Sequence, residues 1–327
     1  MTNQAGPSAR RRLLSLAIAA ALGPLGAMRG AYAQPEAVRR LVVGYPAGGL
    51  ADRLARIVAE ALSQAASPSF VVENRPGAGG MIATEQVARA EGDGKVLLLH
   101  NVDVLVSERA LKADPGFDPL RSLTIIAPVA RFEYLVVANA KLGLRNLQDL
   151  VALGRNTATS IFYVDTGPGV RMIFESLKRK YGLSLVGVPY RGLAPAMADL
   201  LAGRVELAML DAATASAQVA AGKVTILGRG DANTARDSSK VPTLAEQGAE
   251  GLWVDTRIAL MAPASTPQAT IEQLRLLVTD VLKKPAVRSQ LEQAAYHPID
   301  AAPAQFTRAV AESFDHYRRL AQQAGML

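Results

Sequence analysis

The 327-residue sequence contains no cysteine, one tryptophan and three histidines, and only 5% of its residues are aromatic. Without cysteine there is no disulfide, no thiolate metal site, no thiol nucleophile and no lipid anchor on an N-terminal cysteine. The histidines, His100, His297 and His316, are far apart and lack metal-ligand spacing. His297 and His316 are expected at the surface. No serine lies in a nucleophile-elbow sequence, and no two carboxylates can be argued to share a site. Catalytic constellations are scarce, and no metal site is expected.

Long apolar runs are equally scarce. One stretch, Leu13 to Leu25, follows Arg10, Arg11 and Arg12 and precedes the small-residue pattern Ala31-Tyr32-Ala33. That order predicts a cleavable signal peptide over residues 1–33, and the consecutive arginines admit a twin-arginine route. The run is too short for a membrane span and Pro24 interrupts it. Four arginines and no acids lie in this leader, so the formal charge of +7 drops to +3 without it, which gives no reason to expect nucleic acid as a partner. The expectation is a soluble, monomeric periplasmic protein of about 294 residues, large enough for two lobes without staples.

From Val38 onward, short apolar runs alternate with helical patterns. "RLVVGY", "SFVVEN" and "KVLLLHN" predict strands, with "DRLARIVAEALSQA" and "MIATEQVARA" as helices between them. This βαβαβ rhythm predicts an α/β fold with a mostly parallel sheet. It breaks at "SLTIIAPVARFEYLVVANA", two extended runs in a row, and a new α/β series follows. "VDTRIALMAPAST" is again extended and leads into two long helical patterns. "KRKY" and "HYRR" on such helices are expected to be solvated faces. Two extended crossings predict two lobes: the first, discontinuous, over 34–135 plus 258–327, the second over 136–257. Ligands of such proteins sit between lobes, at the C-terminal ends of parallel strands.

The stretch "YPAGGLAD", Tyr45 to Asp52, joins a strand to a helix. Gly48 and Gly49 permit a positive-φ turn and close approach of a ligand. The helix start supplies unpaired N–H groups for an anion. Asp52 is expected either to cap that helix or to hold waters facing a ligand. "GAGGMIA" and "GPGVRM" resemble dinucleotide motifs but carry Ile82 and Met172 where the third glycine belongs, and neither has a P-loop lysine. No cofactor is expected. "GPGVRM" opens a helix, so Thr166, Gly167, Gly169 and Val170 offer a second cradle of N–H groups. His100 and Asn101 end a strand, as do Asp165 and Asp211, and each is a candidate to face the cleft.

Taken together these segments resemble the Bug family, the substrate-binding receptors of tripartite tricarboxylate transporters. "YPAGGLAD", "VVENRPGAGGMIATEQVARA", "GDGKVLLL", "VPYRGLAPAMADLLAGRVELAM" and "VPTLAEQG" match its motifs in order over nearly the whole chain after the leader. The resemblance implies a two-lobed, type II-like periplasmic-binding-protein fold with two strand crossovers and a ligand cleft. It implies no enzyme, but a receptor that delivers a small carboxylate to membrane transporter subunits. The first loop, Tyr45, Pro46, Ala47, Gly48 and Gly49 with Asp52, would hold the proximal carboxylate. The second-lobe loop would meet the distal end.

The departures from that pattern fall at the site. Ala51 stands where the family usually has a hydroxyl residue, Met81 where asparagine is common, and His100 and Asn101 where glycine and serine are usual. The loop from Asp165 to Val170 lacks the family's serines. Fewer hydroxyls, with Met81 and Val170, predict a carboxylate ligand with an apolar or aromatic body. Asp165 or Asp211, if it faced the cleft, would instead suit a cationic group. A sensor adaptor docking on a signalling protein is the alternative function. An enzyme using Asp52 and His100 is a third.

Overall fold

The computed structural model describes residues 38–112, 117–156, 159–190, 192–231 and 241–327. The expected leader lies outside them. Apolar β-runs and amphipathic helices alternate as β1 (Arg39–Val43), α1 (Leu50–Ala65), β2 (Phe70–Asn74), α2 (Met81–Ala88), β3 (Val96–Asn101), α3 (Val102–Leu111) and β4 (Leu123–Arg131). The second series is β5 (Tyr134–Asn139), α4 (Leu147–Asn156), β6 (Ile161–Asp165), α5 (Pro168–Tyr181), β7 (Leu185–Pro189), α6 (Leu193–Ala202), β8 (Leu207–Asp211), α7 (Ala212–Ala220) and β9 (Val224–Arg229). The chain closes with β10 (Arg257–Pro263), α8 (Gln268–Leu282), α9 (Pro285–Gln293), the two-residue β11 (His297–Pro298) and α10 (Pro303–Gln323).

Two sheets result. The first has the order β11-β4-β10-β3-β1-β2 and the second β7-β6-β8-β5-β9. Strands β1, β2 and β3 are parallel, as are β6, β7 and β8. In each sheet one strand reached by a crossover runs antiparallel to its neighbours: β10 between β3 and β4, and β5 between β8 and β9. Strand β3 is buried along its whole length, which accounts for its unbroken apolar run. Helix α3 was not legible from the sequence: its apolar residues surround it almost evenly, because it is covered on several sides. The long pattern from residue 266 to 294 is two helices, since Pro285 cannot continue α8 and instead opens α9.

The two crossings between sheets lie side by side. Thr256 on the return accepts the Phe132 N–H at 3.2 Å and donates its hydroxyl to the Phe132 carbonyl. One residue on, Arg257 bonds Asp103 of α3 through its backbone N–H, 2.9 Å, and through its guanidinium. The same guanidinium reaches Ser313 of α10 at 3.0 Å. Helix α10 packs on both α3 and α5, so it bridges elements of the two sheets. One apolar cluster runs through all of them, including Leu105, Met172, Ile173, Val310 and Tyr317. Tyr317, expected on a solvated face, is 1% exposed. His316 is half-buried and stacks on Trp253, ring centroids 3.5 Å apart, because the return segment lies across α10. His297 is likewise half-buried, held in β11 against β4 with its Nε2 at 3.9 Å from Glu133.

Asp103 is 2% exposed and Arg257 holds it from two directions. Asp103→Ala should leave a buried guanidinium without its partner and cost about 3–5 kcal/mol of stability, read by urea unfolding. Asp103→Leu combined with Arg257→Met should recover most of that loss.

Candidate functional site

Each parallel strand ends in a turn that begins a helix, so helix N-termini gather at the strands' C-terminal ends. Four of them start at glycine with no side-chain cap: Gly49 of α1, Gly80 of α2, Gly167 of α5 and Gly192 of α6. Two others cap themselves. Asn101 accepts the Asp103 N–H at 2.9 Å, and Asp211 accepts the Thr214 N–H at 3.0 Å and its hydroxyl at 2.6 Å. The first turn of each glycine-capped helix therefore keeps donors with partial positive charge and no side-chain cap. Two come from each sheet, and a Cβ placed on Gly192 would lie 4.0 Å from Pro46 Cγ. The first loop and the start of α6 thus face each other across the cleft.

Pro46, Ala47, Gly48 and Gly49 are exposed. Only Gly48 has the positive φ expected of the pair, +79°. Gly49 is extended at φ −77°, a conformation open to any residue, so its glycine is not required by the turn. Asp52 is buried and not the N-cap. It reaches back from the first turn to accept the Gly48 N–H at 2.9 Å and pairs with Arg56 at 2.9 Å. Burial pushes its carboxyl up, but hydrogen bonds from Arg56, Gly48 and Asn74 outweigh that and hold it below the usual range. Asp52 thereby fixes the shape of the loop.

His100 lies beneath the loop rather than in the open cleft, 1% exposed. Its Nδ1–H donates to the Asn101 carbonyl at 2.9 Å, and its ring lies 5.2 Å from that of Tyr45. A Cβ on Gly80 would fall 1.9 Å from His100 Nε2, and one on Gly44 would fall 3.1 Å from it. Burial lowers its pKa against the opposing pull of the Asn101 and Gly79 carbonyls, so the imidazole is neutral. Met81 begins α2 and is partly buried against the core. In the second lobe Asp165 is buried and occupied: it accepts the Gly167 N–H at 3.1 Å and Arg171 Nε at 2.6 Å. Thr166, Gly167 and Gly169 are half-exposed around it, whereas Val170 is 5% exposed.

The aromatic residues under the first loop were legible only at Tyr45. Phe132 packs edge-on against Tyr134 at 5.0 Å and against Tyr296 at 6.4 Å. Tyr296 donates its hydroxyl to the Leu50 carbonyl at the start of α1. Burial and the Tyr134 phenol raise the Tyr45 pKa, and burial with Asp211 pushes Tyr134 up to about 12. These phenols stay protonated. The sequence signals were "RFEYL" at the crossing for Phe132 and Tyr134, and "VPYRG" for Gly192.

The family model described as "Tripartite tricarboxylate transporter family receptor" matches residues 54–326. The UPF0065 protein in the tcbD-tcbE intergenic region of Pseudomonas sp. (strain P51) is 30% identical over 298 residues, 90% of this chain and 88% of that protein. The periplasmic binding protein BugD superposes with a TM-score of 0.79 at 28% identity, over 89% of this chain and 99% of its own. R. palustris Rpa4515 with adipate superposes with a TM-score of 0.80 at 28% identity, over 89% of this chain and 98% of its own.

Because the Asp52 carboxyl is held below its ordinary range, its stabilising effect is present above the unfolded pKa of about 3.9 and disappears as pH falls through the folded value. Asp52→Ala should cost about 1 kcal/mol at neutral pH, a modest figure because Arg56 is exposed. The loss should vanish in acid. Urea unfolding at the two pH values checks this.

Proposed function

The chain belongs to the tripartite tricarboxylate transporter receptor family, whose members are non-enzymatic periplasmic binding proteins, and from that premise we propose how its cleft captures a ligand. The ligand is a small carboxylate with an apolar body. Its proximal carboxylate sits on the Tyr45–Gly49 loop and the α1 N-terminus, its distal part against the α5 and α6 N-termini. The observation that carries this is the opposition of glycine-capped helix starts from both sheets, with Gly192 facing Pro46. Such starts bind anions without a basic side chain. Charge-assisted hydrogen bonds contribute about 1.5–3 kcal/mol each, so a few supply the ~8 kcal/mol of micromolar affinity.

Three features support the apolar body. Tyr45 and Tyr134 are half-buried beneath the loop, Met81 flanks the α2 start, and hydroxyl side chains are few. Asp165 and Asp211 spend their carboxylates on Gly167, Arg171 and Thr214, which argues against a cationic ligand. Arg171 gives Nε to Asp165 on a half-exposed side chain, so the outer edge of its guanidinium suits a second carboxylate. The relative Rpa4515 is described with adipate, a dicarboxylate with an apolar body. In this reading the protein works in the periplasm, closes on the acid and presents the closed form to membrane transporter subunits.

Native mass spectrometry of the purified protein, before and after refolding from denaturant, should reveal a small acid that is lost on refolding. Thermal-shift titration across mono-, di- and tricarboxylates then ranks the class, with apolar-bodied dicarboxylates expected above citrate-like acids. The reverse ranking would sink the apolar-body reading. Gly49→Val should weaken binding at least about 100-fold with little change in melting temperature. A Cβ there meets only the Pro46 carbonyl, at 3.3 Å, and φ is ordinary.

A further inference from the structure

Four of the described tyrosines commit their hydroxyls to the protein. Tyr163 donates to Glu175 at 3.0 Å, Tyr190 to Asp199 at 2.7 Å and Tyr296 to the Leu50 carbonyl, while Tyr317 accepts the Asp255 N–H at 3.0 Å. Tyr45 and Tyr134 behave differently. Their rings are half-buried, yet neither hydroxyl has a hydrogen-bond partner among the described residues, and neither oxygen is sealed from solvent. Tyr181 also lacks a partner, but it ends α5, at the opposite end of that helix from the cleft.

Both rings are held in place. Asn74 Nδ2 donates to the Tyr45 carbonyl at 3.1 Å, and the Tyr45 ring rests on His100, centroids 5.2 Å apart. Tyr134 opens β5, where its carbonyl accepts the Gly230 N–H at 2.8 Å. Its ring meets Phe132 edge-on at 5.0 Å, and Phe132 meets Tyr296, whose hydroxyl reaches the first residue of α1. Tyr45 and Tyr134 pack against the same apolar cluster as Leu50 and Ala51 of α1. Two positioned phenols, one following β1 of the first sheet and one opening β5 of the second, therefore stand under the loop that begins at Tyr45. Water satisfies such hydroxyls in an open cleft. When the cleft closes and water leaves, they need a ligand atom.

We infer that Tyr45 and Tyr134 form a polar subsite that reads a neutral oxygen, hydroxyl or carbonyl, on the ligand's body next to its proximal carboxylate. The inference rests on the cleft reading given above and narrows its ligand to an α-hydroxy or α-keto acid whose remainder is apolar. The position follows from Tyr45, which opens the loop assigned to the carboxylate. Neutrality follows from Asp211. It is 3% exposed, stands across the ladder from Tyr134, and its oxygens lie on Thr214 rather than on a cation. A second carboxylate brought to the phenols would meet that charge, whereas a hydroxyl or carbonyl oxygen would not. A phenol donates and accepts, so it suits either oxygen. An acid lacking the oxygen leaves both hydroxyls unpaired, which is the stronger part of the discrimination.

Isothermal titration of matched acids tests this: glutarate, adipate, hexanoate and phenylacetate, each against its α-hydroxy and α-keto counterparts. In the wild type the best oxygen-bearing acid should bind about 10- to 100-fold more tightly than its plain counterpart. Tyr45→Phe and Tyr134→Phe should each lower that ratio about three- to tenfold, and the double variant should bring it close to unity. Melting temperatures of the ligand-free variants should equal or exceed that of the wild type, because no hydrogen bond within the protein is lost. A merely structural role for either hydroxyl would lower them.

Equal binding of both members of every pair, or a ratio that the phenylalanine variants leave unchanged, overturns the inference and leaves the cleft reading intact. A uniform loss for both members would put the phenols on the proximal carboxylate itself and overturns it as well. If no acid of any series binds, the cleft reading fails and the inference falls with it.

Discussion

The Arg257–Asp103 pair holds the point on which both halves of the molecule depend. The chain crosses between sheets twice, and at the second crossing the backbone and side chain of Arg257 are both fixed to one buried carboxylate of α3. Thr256 transmits that position to the first crossing, and Ser313 transmits it to α10. A buried ion pair of this kind adds little net stability over a well-packed apolar pair. What it supplies is direction, because a guanidinium aims hydrogen bonds in a plane whereas leucine would not. The relative setting of the two sheets, and so the facing of Pro46 and Gly192, starts from that plane.

The cleft obeys a different economy. In the reading proposed above it offers an anion backbone donors rather than fixed cations, and the side chains nearest those donors serve the protein itself. Asp52 shapes the first loop, Asp165 the second-lobe loop, and Asn101 and Asp211 their own helices. On that reading recognition of the charged end is tied to the backbone. Selectivity then falls to the side chains proposed to surround the body of the ligand, Tyr45, Tyr134, Met81 and Arg171. A family can change its ligand at such positions without rebuilding the anion site.

Much of this was legible in the sequence where the signal is local. The buried strands announce themselves as apolar runs, and the glycine turns before α1 and α5 stand where the residues place them. Local reasoning failed where an element's surroundings are not its own. Helix α3 hides its periodicity because it is covered on several sides, and Tyr317 looks solvated until the return segment is laid across it. Gly49 and Gly48 are indistinguishable in sequence, yet only Gly48 needs its positive φ. The two crossings were legible as extended runs, but the contacts that tie them together were not: Phe132 with Thr256 and Asp103 with Arg257 are partners separated by 124 and 154 positions.

The placement of β10 has a consequence for assembly. It sits inside the first sheet, between β3 and β4, although it is the first strand made after the whole second sheet. A chain emerging N-terminus first can complete the second sheet from contiguous residues. Its first sheet must wait with an open seam until residue 257 and beyond arrive. Unpaired strand edges are sticky, so the half-built protein is at its most vulnerable while β3 and β4 await the strand that separates them. Slowing the synthesis of the last quarter of the chain would prolong that interval without altering a single contact of the finished molecule.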